Sequence, residues 1–147
     1  MEYRDMLVLF LLHAMNKKPI YGRTRMQKLI FLAEMESKLK LYKFVPFEYG
    51  PFSFDLSDDI QYLIDWDYIS EKPERFKGKI RYKYELTEEG EKKVKEFLDD
   101  EKLSRAFRKP YERIEKIKQT YYCDPLPELL KKIYDKYPEY AGFLWEY

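Results

Sequence analysis

The side chains in this chain that could do chemistry are few and poorly spaced for it. One histidine and one cysteine are the natural base and nucleophile. His13 sits in an almost wholly apolar stretch, residues 6–15, where the expectation is a buried or rim histidine and not a catalyst. Cys123 lies in Tyr-Tyr-Cys-Asp-Pro, with no neighbouring cation to stabilise a thiolate, so an inert thiol is expected. Sequence distance alone leaves a His13–Cys123 pair open. Asp55, Asp58 and Asp59 share one helix face and could meet a hard cation, but they lack the glycine-bearing loop of a calcium site. Compensation of a helix N-terminus explains them with less. No glycine loop for phosphate, no zinc spacing and no serine nucleophile elbow is present. The expectation is a chain with no catalytic residue, no metal ligand and no cofactor.

Charge carries more information. Residues 17–43 hold eight basic and two acidic side chains, 44–71 hold seven acidic and none basic, and 72–83 hold six basic and one acidic. The first and third segments supply the nucleic-acid-contact candidates: Arg23, Arg25 and Lys28, then Arg75, Lys77, Lys79 and Arg81. The middle segment works against them. Phosphate neutralisation drives affinity for nucleic acid, and a helix presenting Asp55, Asp58, Asp59 and Asp65 repels it. The aromatic residues Tyr140, Phe143, Trp145 and Tyr147 near the end are the partner-binding candidates, because Tyr and Trp anchor protein interfaces. Core closure is the other reading of the same residues.

The elements that must position these groups follow from periodicity. Residues 3–15 read as a helix apolar on most faces, hence buried. A second helix spans 24–39, with Met26, Leu29, Ile30 and Ala33 on one face and Phe31, Leu32 and Met35 on another. An aromatic connector broken by Pro46, Gly50 and Pro51 follows. Ser53 caps a third helix, 54–66, with Leu56, Ile60, Leu63 and Ile64 inward. The period then falls to two: a short strand at 68–71, a loop at 73–79 with Gly78 at its tip, and a half-buried strand in which Ile80, Tyr82, Tyr84 and Leu86 alternate with charges. Thr87 caps a fourth helix that buries Val94, Phe97 and Leu98. Phe107, Tyr111, Ile114, Ile117 and Tyr121 stripe a helix over 104–121, and Leu129, Leu130, Ile133 and Tyr134 a last one. The fold expected is mainly α with a small β-hairpin wing: a winged helix-turn-helix core over 1–102, and C-terminal helices over 103–147 packed on it as one domain.

The 147 residues suffice for one domain with a core, and 45% are hydrophobic, which argues for folding over disorder. The longest apolar run, 6–12, falls far short of the ~20 residues a membrane helix needs. With no export signal and a lone cysteine, a cytoplasmic setting without membrane contact is expected. Abundant Lys and Glu beside one Asn and three Gln is a thermophile-like balance.

Three motifs carry a resemblance. They are Gln27-Lys-Leu-Ile-Phe31, Tyr49-Gly-Pro-Phe-Ser53 and Lys136-Tyr-Pro-Glu-Tyr140. Together they resemble the YwgA-like group, related to the Panacea antitoxin domain. The Tyr84-Glu-Leu-Thr-Glu-Glu-Gly90 corner is similar to the one that closes the wing in winged-helix regulators. The resemblance implies a winged-helix fold and, through Panacea antitoxins, a protein-binding role; it carries no catalytic residues. The expected function is a non-enzymatic binding module, antitoxin-like or adaptor-like, with an unidentified protein partner. The alternative is a transcriptional regulator that contacts nucleic acid weakly through a basic wing. A homodimer through the 104–121 stripe stays open.

Overall fold

A computed structural model describes residues 3–144. The chain is mainly helical with a small antiparallel sheet. Its elements are α1 (Tyr3–Ala14), β1 (Ile20–Tyr21), α2 (Arg23–Ser37), β2 (Val45–Phe47), β3 (Gly50–Phe52), α3 (Phe54–Asp65), β4 (Ile69–Phe76), β5 (Lys79–Leu86), α4 (Glu88–Asp99), α5 (Glu101–Ala106), α6 (Arg108–Tyr121) and α7 (Leu126–Lys136), then a 3-10 turn at Pro138–Tyr140. One sheet has the order β1-β5-β4, and β2 pairs with β3 in a second. No helix among the described residues is long and apolar enough to cross a membrane.

α1 is the centre. Residues 6–12 are buried throughout, because α1 touches α2, α3, α4, α6 and β5. Phe10 meets Phe97, Phe107 and Tyr111 edge-on at 5.3–5.7 Å between centroids. Each such large apolar side chain contributes ~1.5–3 kcal/mol on burial. The α6 stripe is used up within the chain: Phe107, Ile114 and Ile117 are buried, where α6 packs on α1 and α2.

Caps fix the helix starts. The Ser53 hydroxyl accepts from the Leu56 N–H at 3.1 Å and opens α3. Thr87 accepts from the Gly90 N–H and donates to the Asp67 carbonyl, which ties the start of α4 to the end of α3. Gly90 lies against the Tyr68 carbonyl oxygen, where a Cβ would collide with backbone.

Several boundaries differ from the sequence expectation, each for a physical reason. The 44–52 connector is a hairpin: Val45, Pro46 and Phe47 pair with Phe52, Pro51 and Gly50. The two prolines face one another, so the two residues without an N–H share one rung of a ladder that bonds only on alternate rungs. The loop expected over 73–79 is two strands joined by a turn at Lys77 and Gly78, both at positive φ. Pro73 is tolerated because β4 is an edge strand. Between the first two helices, where no strand is expected, lies β1, whose Ile20 pairs with Tyr84. The 104–121 helix is two, α5 and α6, meeting at Phe107. Of the alternating set on β5, Tyr84 is buried while Ile80 and Tyr82 are exposed. β1 ends its pairing at Lys83, so the outer half of the β4–β5 hairpin has no partner strand on that edge.

Candidate partner-binding surface

The α2 cations do not form an open basic face. The Arg23 guanidinium donates to Glu71 at 2.8 Å, to Gln61 at 2.8 Å and to the Tyr84 hydroxyl at 3.1 Å. Tyr84 in turn donates to Glu71 at 2.6 Å. The bonds from Tyr84 and then Arg23 hold the Glu71 carboxyl below its ordinary value, and burial above all pushes the Tyr84 phenol up to about 12. This network pins the N-terminus of α2 to α3 and β4. Arg25 is half-buried, with Asp124 and Tyr122 nearby opposing the burial that lowers its pKa. Lys28 is only 2% exposed, and burial brings its ammonium down to about 8.

The four hairpin cations proposed from sequence sit differently. Arg75, Lys77 and Lys79 are exposed at the outer end of β4–β5. Arg81 is half-buried: it stacks between Tyr21 and Phe76, at 3.6 and 3.8 Å from their ring centroids, and donates to Glu74 at 2.8 Å. The seven candidates therefore do not form one cluster. Arg23 is engaged in the network, Lys28 is buried, and the exposed cations gather at the hairpin tip.

α3 has the opposite surface. Leu56, Ile60 and Leu63 face inward, and its solvent stripe is Phe54, Asp55, Asp58, Gln61, Tyr62, Asp65 and Trp66. α3 itself contributes no cation to the stripe, although Arg4 of α1 reaches Asp55 at 3.6 Å and Gln61 donates to Asp65 at 2.9 Å. Trp66 is 64% exposed and lies beside Tyr62, at 5.9 Å between centroids. Sequence reasoning placed the aspartates here but passed over the aromatics; Phe54, Tyr62 and Trp66 fall out of phase with the Leu56–Ile60–Leu63 core positions, and that was the available signal. Asp59, on the flank, is spoken for: it pairs with Arg4 at 2.7 Å and accepts from Tyr42 at 2.7 Å.

At the start of α3, Phe54 joins a ring cluster with Phe47 and Phe52, and Phe143 packs edge-on against Phe47 at 5.7 Å. The tail is tied to the small hairpin by Phe143 N–H to Phe47 O (3.1 Å) and Leu144 N–H to Glu48 O (2.9 Å). The terminal aromatics thus divide. Tyr140 is half-buried against Phe31, Phe143 is exposed, and Trp145 and Tyr147 lie outside the described residues.

The remaining chemistry is dispersed. His13 pairs with Glu91 at 3.0 Å through Nδ1, and Cys123 is exposed. Among the described residues no group of three His, Cys, Asp or Glu is placed to hold a metal ion. A groove of about 770 Å³ runs beside Tyr3, Met6, Leu41 and Phe97. Its cations are engaged: Arg4 with Asp59 at 2.7 Å and Lys93 with Glu96 at 3.8 Å.

The three resemblance motifs converge in space. The Gln27 side chain bonds both the N–H and the carbonyl of Ser53 at 2.9 Å. Phe31 packs on Tyr137 and Tyr140. Gly50, at φ 106°, lies where a Cβ would strike the Tyr134 ring. Their meeting sets how α2, the β2–β3 hairpin and α7 pack.

By architecture this is a mainly helical chain with a small antiparallel sheet and an exposed aromatic–acidic helix. No family model matches it. It is similar to the uncharacterised protein YwgA of Bacillus subtilis (strain 168), 33% identical over 93 residues, which are 63% of this chain and 53% of that protein. The match spans about half the length of that relative. This similarity supports the YwgA-like resemblance carried by the motifs.

Proposed function

We propose that the chain is a non-enzymatic protein-interaction module on a winged-helix framework, antitoxin-like or adaptor-like, that engages its partner through the solvent face of α3. The observation that carries this reading is that face itself: three aromatic anchors interleaved with three aspartates, of which, among the described residues, only Asp55 meets a cation, Arg4 at 3.6 Å. In a DNA-binding winged helix, the third helix enters the major groove. Here it would bring Asp55, Asp58 and Asp65 toward phosphates, where affinity requires cations. Exposed Trp and Tyr flanked by charge are instead what protein interfaces use as anchors. The element order, three helices and then a hairpin joined by a short β1 strand, supports the framework.

A second reading, backbone contact with nucleic acid, is favoured by the exposed Arg75, Lys77 and Lys79 at the hairpin tip. So few phosphate contacts give weak, sequence-independent, salt-sensitive binding.

One experiment tests both readings. A benzophenone side chain is placed at Asp58 on α3, or at Lys116 on α6 as control, and the protein is irradiated in its own cells. The reading expects a discrete protein adduct from position 58 that Trp66→Ala abolishes. Equal patterns from both positions, or a tight operator complex at physiological salt, would overturn it.

A further inference from the structure

The long hairpin carries the counterpart of α3. By register, Arg75 faces Ile80, and Pro73 faces Tyr82, so these four side chains share one side of the sheet. Ile80 is 63% exposed, and Tyr82 is exposed too. Lys77 sits at the turn beyond them. This is an apolar strip edged by cations, whereas α3 presents an apolar strip edged by carboxylates.

The two strips meet at a corner. The inner half of the same sheet side bears Tyr84 and Glu71, both bonded to Arg23, and Arg23 also bonds Gln61 on the α3 stripe. One limb of the corner is α3, ~18 Å from Phe54 to Trp66. The other is the hairpin beyond Pro73, ~13 Å long. The limbs are comparable in length and opposite in charge.

We infer that the occupant of the α3 face is a second copy of this chain: two corners interlock about a two-fold axis, each hairpin lying along the other copy's α3. This rests on the protein-interaction reading and names its partner. Ile80 and Tyr82 cover Tyr62 and Trp66, while Arg75 and Lys77 meet Asp58 and Asp65. The arrangement closes, because every contact occurs twice. Five large exposed side chains per copy, Ile80 and Tyr82 from the hairpin and Phe54, Tyr62 and Trp66 from α3, remove ~500 Å² of surface each, or ~1,000 Å² for the pair. That is about the smallest area a specific interface buries. One limb alone on a foreign surface would bury about half as much. Because charge complementarity sets the register, the association weakens with salt.

The test is charge exchange read by light scattering and native mass spectrometry. Wild-type protein is expected to move with concentration toward twice the 18.2 kDa chain mass, and high salt reverses this. Asp58→Lys with Asp65→Lys, and separately Arg75→Glu with Lys77→Glu, each weaken association roughly 100-fold. All four side chains are on the surface, and unchanged thermal melts verify folding. Mixing the two variants restores the dimer as a heterodimer of their distinct masses, since each supplies the charge the other lost. A wild-type mass that stays at one chain, or variants that dimerise like wild type, overturns the inference. If the position-58 crosslink then captures a different protein, the interaction reading stands and self-association falls; an adduct of two identical chains supports both.

Discussion

Lys28 offers the sharpest check on the packing argument. Its side chain lies within the core face of α2, 2% exposed, and no hydrogen bond or ion pair to it is found among the described residues. Burial lowers its pKa from 10.5 to about 8. If the unfolded chain keeps the ordinary value, this difference disfavours the fold by about 3 kcal/mol at pH 7. The sign is fixed by proton counts. Between pH 8 and 10.5 the unfolded chain binds more protons at this site than the folded one, so stability rises with pH across that window and levels off above it. Lys28→Met keeps a long flexible stem and removes the charge. The expected result is a gain of about 3 kcal/mol at pH 7 that shrinks toward zero by pH 10.5. Urea unfolding at the two pH values, with the denaturant slope unchanged, measures it. A variant no more stable than wild type at pH 7, or a gain independent of pH, would refute the reasoning, because either would mean the ammonium is solvated or held within the fold.

Glu34 gives the opposite sign: burial raises its carboxyl to about 7 even though it accepts the Leu41 and Tyr42 N–H groups. Its stabilising contribution is lost as pH rises from about 4.5 through 7, so Glu34→Gln should stabilise the fold by about 3 kcal/mol at pH 8 and leave it nearly unchanged near pH 4.5. Gln27→Leu strips the buried Ser53 N–H of its acceptor and should cost about 1–3 kcal/mol, seen as a lower melting temperature with hydrogen exchange accelerated at the start of α3. Gly90→Ala drives a Cβ into the Tyr68 carbonyl and should cost about 1–3 kcal/mol; a neutral melt would show that α4 can shift to make room.

The local elements were readable from the residues because local causes set them. A run of apolar side chains over 6–12 leaves no face for water, so α1 had to be central. Ser53 and Thr87 carry hydroxyls suited to capping, and both helices start there. The alternation from Ile80 to Leu86 marked β5 within one residue. The β2–β3 hairpin and the full length of β4 were not legible, because Pro46, Pro51 and Pro73 argue against strands until one knows which rung or which edge each occupies.

What surrounds a side chain was decided only by the tertiary structure. Arg23 and Lys28 have the same sequence signature as Arg75 and Lys77, yet the first pair is engaged or buried and the second is exposed at a hairpin tip. Charge along a chain counts residues, whereas function depends on which of them the packing leaves in water. The aspartates of α3 were evident from the sequence. That Phe54, Tyr62 and Trp66 stand among them on the outside follows from the orientation of α3, which Gln27, Ser53 and the Arg23 network fix across 26 to 61 residues of intervening chain. Contacts at that separation leave no local pattern, and so the acidic helix was the sequence's to declare while its aromatic face was the fold's.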